Sequence, residues 1–230
     1  MKRKIRRKIP DVLTEEERIR LLKVPNKRYP TGIRNLAIML TMLDCGLRSS
    51  EIVNLKMKNI NLTTGEIKIV NGKGNVDRIL WINGESLEVL KKWIQRKPES
   101  EFVFCTLKGA QIKDSYLRIF INRYGKRAGI QKHLHPHLLR HTFGTDLYRR
   151  TKNIRLVQES LGHADLSTTM IYTHIVNGEL EEGMKGFRTK EKLEKKAIER
   201  LKRLEKQQET ITEEIKKLKN HIDDSSLFKY

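Results

Sequence analysis

His137-Leu138-Leu139-Arg140-His141-Thr142-Phe143 sets two histidines around one arginine, with Leu138, Leu139 and Phe143 among the apolar residues of a helix predicted over 137–150. His141 follows Arg140 on that helix but points about 100° away, so it reads as a packing or supporting residue. Downstream come Leu161-Gly162-His163 and then Ile171-Tyr172-Thr173-His174. Histidine, arginine and tyrosine in this order are groups that can hold a phosphate, take up a proton and act as a nucleophile.

The surrounding sequence supplies a mostly helical body. Upstream, Thr14-Glu15-Glu16-Glu17 has the pattern of a capping box and predicts a helix start. After a loop with Pro25 and Pro30, the run Leu36, Ile38, Met39, Leu40, Met42, Leu43 is apolar nearly all round and predicts a buried helix closed by Gly46. A short helix is expected over 50–57. The period then changes to two at Glu66-Ile67-Lys68-Ile69-Val70 and again at Arg78-Ile79-Leu80-Trp81-Ile82, which predicts a hairpin across Asn71-Gly72-Lys73-Gly74-Asn75 with Lys73 at its tip. Helices are expected at 85–96, 113–128, 153–161 and 167–174, and a short strand at Phe102-Val103-Phe104. The predicted fold class is therefore mainly α with a small antiparallel β-sheet, an α+β arrangement.

Bulk properties narrow the partners. The 230 residues carry 48 Lys and Arg against 28 Asp and Glu, a formal net charge of +20, which attracts polyanions and makes nucleic acid the expected partner. No apolar run approaches a bilayer span, and the basic opening MKRKIRRKIP leads into polar sequence, so a soluble cytoplasmic, nucleoid-associated protein with no membrane partner is expected. Cys45 and Cys105 lie in apolar surroundings, far from metal-ligand spacing, and read as buried thiols. Metal and cofactor are not expected.

Breaking and resealing a nucleic-acid strand without a nucleotide cofactor requires a nucleophile, a base, a general acid and positive charge around the transition state. Tyr172 can be the nucleophile, with His137 as the acceptor of its proton. Arg48 and Arg140 can each present a planar fork to non-bridging oxygens, a geometry lysine does not match. Lys73 can protonate the departing 5′ oxygen, although a lysine in a hairpin tip is also ordinary turn chemistry, with Lys68 and Arg78 close by. Glu51 reads either as a support for Arg48 or as an exposed helix carboxylate.

Five boxes now stand in order: Gly46-Leu47-Arg48-Ser49-Ser50-Glu51-Ile52, Gly72-Lys73-Gly74, His137 to His141, Leu161-Gly162-His163-Ala164, and Ser167 to His174. Together they resemble the catalytic domain of the tyrosine recombinases, the phage integrase and Xer-type enzymes, over about residues 12–187. The resemblance implies that Arg48, Lys73, His137, Arg140, His163 and Tyr172 are the catalytic set of a site-specific DNA recombinase or integrase. It further implies a 3′-phosphotyrosyl intermediate, passage through a Holliday junction, and a homotetramer on double-stranded DNA. Two other activities fit parts of the pattern: type IB topoisomerase-like nicking and resealing, and a DNA-binding or architectural role that keeps the fold.

Two segments flank that domain. Residues 1–11 form a basic arm in which Lys2, Arg3, Lys4, Arg6, Arg7 and Lys8 can touch phosphates with little sequence preference. The resemblance implies an N-terminal core-binding domain as the other half of a DNA clamp. Only this arm precedes the catalytic boxes, which leaves three expectations open: a minimal recombinase, a fragment that starts at an internal Met, or a clamp completed by an accessory DNA-binding protein as partner. Across 188–230, Ala197, Leu201, Leu204, Gln208, Ile211, Ile215, Leu218 and Ile222 follow heptad spacing and predict a helical tail, either a coiled coil joining protomers or a single amphipathic helix.

Overall fold

The structure, a computed structural model, describes residues 10–70, 77–82, 84–163 and 165–173, together with 201, 204, 205, 207 and 208. The chain divides into two compact units, Met1–Asn177 and Gly178–Tyr230. In the second unit the five described residues have helical backbone, and Leu201 and Leu204 are exposed. Of the predicted heptad seam, Leu201, Leu204 and Gln208 are described; its other positions, the Lys73 turn and the basic arm at Lys2 to Lys8 lie outside the described residues.

The first unit is built around one buried helix. Helix α1 (Glu15–Lys23) starts at the predicted capping box, with Thr14 Oγ1 accepting from Glu17 N–H and the Glu17 carboxylate accepting from Thr14 N–H. Helix α2 (Pro30–Cys45) begins earlier than the sequence predicts, because Pro30 is the first helical residue instead of a loop residue. A proline there loses no helical hydrogen bond and has its φ already set. Twelve of the sixteen α2 residues are buried, the Leu, Ile and Met side chains among them, each of which contributes about 1.5–3 kcal/mol on leaving water.

Gly46 closes α2 in the left-handed region at φ 60, and a Cβ there would lie 2.3 Å from Phe143 Cδ1. The close approach of α2 to the later helix carrying Phe143 depends on that glycine. Helix α3 (Ser49–Asn54) is shorter than the expected 50–57: Leu55 takes extended dihedrals, and a 3₁₀ turn follows at Met57–Asn59.

Strands β1 (Ile60–Asn61), β2 (Glu66–Ile69) and β3 (Arg78–Trp81) form an antiparallel sheet in that order, with Lys68 opposite Ile79 and Ile69 opposite Arg78. Ile67, Ile69 and Leu80 are buried, whereas Ile79 and Trp81 face outward. Arg78 therefore shares the inward register of Leu80. The expected strand at Phe102–Phe104 is reduced to isolated bridges, Lys56 with Phe102 and Cys105 with Gln111. Val103 there gives its N–H to Leu55 O.

Helices α4 (Gly84–Ile94), α5 (Asp114–Arg127), α6 (Pro136–Thr151) and α7 (Ile154–Leu161) complete the unit. Packing of α4 and α6 on α2 seals the core. The final box begins as a 3₁₀ turn at Leu166–Thr168, and helical backbone resumes at 171–173. Cys45 and Cys105 are free and buried, as the sequence predicts. No helix among the described residues is long and apolar enough to cross a membrane.

Candidate active site

Arg48 emerges where α2 ends and α3 begins. Its backbone N–H donates to Glu51 Oε2 at 2.8 Å, and its Nη1 donates to Glu51 Oε1 at 2.9 Å. Glu51, three residues on, thus ties down both the helix entry and the guanidinium. The same carboxylate accepts a fork from Arg78 on β3, Nη1 to Oε1 at 2.9 Å and Nη2 to Oε2 at 2.7 Å. Four donors fill the acceptor positions of one buried carboxylate.

Three arginines then meet the end of α7. Ser160 O accepts from Arg78 Nε at 2.8 Å, Leu161 O from Arg140 Nη2 at 2.5 Å, and Gly162 O from Arg48 Nη2 at 2.8 Å. A helix C-terminus leaves such carbonyls without intrahelical partners and carries partial negative charge, so cations are stabilised there. Arg140 also donates from Nη1 to Gly46 O at 2.6 Å, which binds α6 to the α2–α3 junction. Gly162, at φ 60, must lack a side chain: a Cβ would lie 2.9 Å from Arg78 Nη1.

His163 follows immediately. Its Nδ1 lies 3.0 Å from the buried Thr169 hydroxyl, and its N–H donates to Gln158 O at 3.1 Å. Burial first, and the charges of Arg140 and Arg48 next, push the His163 pKa down to about 4, so the ring is neutral at pH 7.

Tyr172 is fully buried beside Phe143, Val157 and Leu161. The imidazole within hydrogen-bonding reach of its hydroxyl is that of His141, with Nδ1 at 3.1 Å, although the sequence reading gave the acceptor role to His137. Burial pushes the phenol up to about 12 against some help from Arg140, and burial pushes His141 down to about 4. With the phenol protonated and the imidazole neutral, the hydrogen bond runs from Tyr172 to Nδ1 in the Nε2–H tautomer and from Nδ1–H to the phenol oxygen in the other. The ring fits because position 144 is glycine; a Cβ there would stand 2.6 Å from Tyr172 Cζ.

His137 lies one turn before His141 with its side chain open to solvent, at the end of a row formed with His133 and His135, ring centroids 5.9 and 6.4 Å apart. Partial loss of hydration, then Arg140, hold its pKa below the usual value. Arg140 is pushed down to about 10, by burial first and Arg48 next, and stays charged at neutral pH. Burial works to raise the Glu51 pKa, but the Arg78 and Arg48 donors outweigh it and keep the carboxyl ionised.

Of the six residues predicted from sequence, Arg48, Arg140 and His163 converge on the end of α7. Tyr172 and His137 lie within electrostatic reach of Arg140. Sequence reasoning gave no role to Arg78 or Thr169. The available signal for Arg78 was a charged residue in the inward register of a strand, which demands a partner. No group of three or more acidic, His or Cys side chains among the described residues is placed to hold a metal ion.

A mostly helical body with a three-stranded sheet is the tyrosine recombinase catalytic-domain fold, and the arginine forks beside neutral imidazoles and a tyrosine form its candidate site. The chain belongs to the phage integrase family, whose pattern matches residues 11–179. It is 36% identical over 165 residues to tyrosine recombinase XerC of Actinobacillus pleuropneumoniae serotype 7 (strain AP76), covering 70% of this chain and 54% of that protein. It is 38% identical over 180 residues to a tyrosine recombinase of Pseudothermotoga lettingae, covering 76% and 60%. The chain thus spans little more than half the length of these relatives. Among solved structures, XerA recombinase superposes with a TM-score of 0.68 at 32% identity, over 80% of this chain and 67% of that one. XerH site-specific recombinase bound to palindromic difH substrate, in a post-cleavage complex, gives 0.67 at 33% identity, over 77% and 53%.

Proposed function

We propose that this chain carries the catalytic centre of a site-specific DNA recombinase, with Arg48, Lys73, His137, Arg140, His163 and Tyr172 as its working residues. The observation that carries the reading is the convergence of Arg48, Arg140 and His163 on the last turn of α7, with Tyr172 buried alongside. Charged arginines beside neutral imidazoles suit a phosphodiester, whose added negative charge in the transition state needs fixed donors.

In the proposed step the Tyr172 oxygen attacks the scissile phosphorus, a P–O bond forms to tyrosine, and the P–O5′ bond breaks. Arg48 and Arg140 hold the non-bridging oxygens, with His163 as a further donor. The phenol proton passes to a neutral imidazole, for which His141 is in contact and His137 faces solvent. Lys73 protonates the departing 5′ oxygen. Attack by a 5′ hydroxyl from a second duplex reverses the chemistry and exchanges strands. Exchange between two duplexes requires several protomers, and we assign a homotetramer on DNA. The domain assignment 12–187, with arm and tail on either side, the accessory DNA-binding partner and nucleoid association belong to the same proposal.

Because Tyr172 is fully buried, the 171–173 turn must open before the hydroxyl meets DNA. The test uses duplexes with palindromic half-sites, nicked so that the cleaved end diffuses away. A covalent protein–DNA adduct that is absent with Tyr172→Phe supports the proposal. Specific binding without an adduct on any such duplex overturns it in favour of a DNA-binding protein.

A further inference from the structure

We propose that Arg78 is a positioning residue for strand cleavage: it holds and neutralises Glu51 so that Arg48 keeps both its orientation and its positive charge for the phosphate. The inference rests on the catalytic reading above and adds a residue to it. Glu51 contacts Arg48 twice, through the backbone N–H and through Nη1. A carboxylate so placed, with no other partner, would orient the guanidinium but also cancel the charge the substrate needs. Arg78 resolves this conflict. Its fork reaches both Glu51 oxygens at 2.7 and 2.9 Å, and the side chains of Arg78 and Glu51 are each 6% exposed. Charge-assisted contacts removed from water are screened weakly, so the Glu51 charge is answered chiefly by Arg78, and Arg48 and Arg140 retain theirs.

The Arg78 Nε–H fixes a second part of the site. Nε donates to Ser160 O at 2.8 Å, two carbonyls before the one that accepts from Arg48. The guanidinium also lies against Gly162, where a Cβ would stand 2.9 Å from Nη1. Arg78 therefore links β3, the Arg48–Glu51 unit and the turn that carries His163. Lysine at this position would keep the charge but offer no fork to two oxygens and a carbonyl at once.

The test measures single-turnover adduct formation at saturating DNA for the full chain, Arg78→Met and Arg78→Lys. Nicked duplexes carry either a phosphodiester or a methylphosphonate at the scissile position. The methylphosphonate lacks the oxygen charge that Arg48 answers, so a variant impaired in Arg48 is penalised less on it. On the phosphodiester, Arg78→Met should slow adduct formation by about 10- to 100-fold, below the ~100- to 1,000-fold cost of losing a transition-state donor outright, because Arg48 itself remains. DNA affinity should change little, the loss should shrink at least several-fold on the methylphosphonate, and Arg78→Lys should recover part of the rate. Thermal melting identifies a variant that does not fold; Arg78→Lys then carries the same two-substrate comparison. An unchanged rate on the phosphodiester, or equal slowing on both substrates, overturns the inference while the wild-type adduct leaves the catalytic reading standing. Absence of the wild-type adduct overturns both.

Discussion

The Tyr172 hydroxyl lies 3.1 Å from His141 Nδ1, and the ring rests where Gly144 leaves room for it. The tyrosine proposed as the nucleophile thus sits in an apolar pocket, its hydroxyl in contact with a neutral imidazole. Burial lifts the phenol pKa to about 12, which keeps the hydroxyl protonated at neutral pH.

This burial has a spectroscopic consequence. A difference titration of wild type against Tyr172→Phe should show one phenol ionising near 12 instead of the usual 10. Gly144→Ala should displace the ring and bring that titration back toward 10, since the new Cβ would stand 3.0 Å from the hydroxyl oxygen. A Tyr172 titration unaffected by Gly144→Ala would contradict the packing described.

Glu51→Gln tests the carboxylate between Arg48 and Arg78. The amide keeps the shape but cannot neutralise either arginine, and one of its groups becomes a donor facing donors. Removing one partner of a buried pair costs about 3–5 kcal/mol, and denaturant unfolding should show a loss of this size. A loss below about 1 kcal/mol, the level of an exposed pair, would contradict the buried geometry.

His141 and His163 set a pH dependence. Their pKa values fall from 6.5 to about 4 on folding, so between those values the unfolded chain binds protons that the folded chain does not. Stability is then complete above about pH 6.5 and is lost as pH falls toward 4. The slope is at most about 1.4 kcal/mol per pH unit for each histidine. Protonation of Glu51, held below its usual 4.5, weakens the fold only at lower pH. Urea unfolding at pH 7, 6 and 5 should show the decline, and it should be shallower in His163→Asn; equal slopes in the two proteins would contradict the assignment.

Thr145 Oγ1 is buried on α6 and finds no hydrogen-bond partner among the described residues. An unsatisfied hydroxyl in the interior costs roughly 1–3 kcal/mol. Thr145→Val, close in shape, should leave stability unchanged or raise it. A loss above about 1 kcal/mol would reveal a partner for the hydroxyl.

The capping box at Thr14, the buried α2, the paired strands and the helices from α4 to α7 were legible because they follow from local periodicity and caps. Pro30 and Phe102–Phe104 were misjudged at segment ends and in a short apolar run, where local pattern is weakest. The order of boxes singles out Arg48, Lys73, His137, Arg140, His163 and Tyr172 as a candidate set. Their supports were not legible: Arg78 meets Glu51 across 27 residues and Ser160 across 82, and Arg48 meets Gly162 across 114. The contact of His141 with Tyr172 is of the same kind, set by how α6 packs on the final turn and not by spacing along the chain.

The most direct measurement of the central claim is the identity of the residue joined to DNA. A covalent adduct trapped on a nicked duplex is digested with protease and nuclease, and the remaining nucleotide is located by peptide mass spectrometry. The account predicts a 3′-phosphoryl nucleotide on Tyr172 and on no other tyrosine. Attachment to the neighbouring Tyr148, which packs in the same apolar cluster, or linkage through a 5′ phosphate, would contradict it.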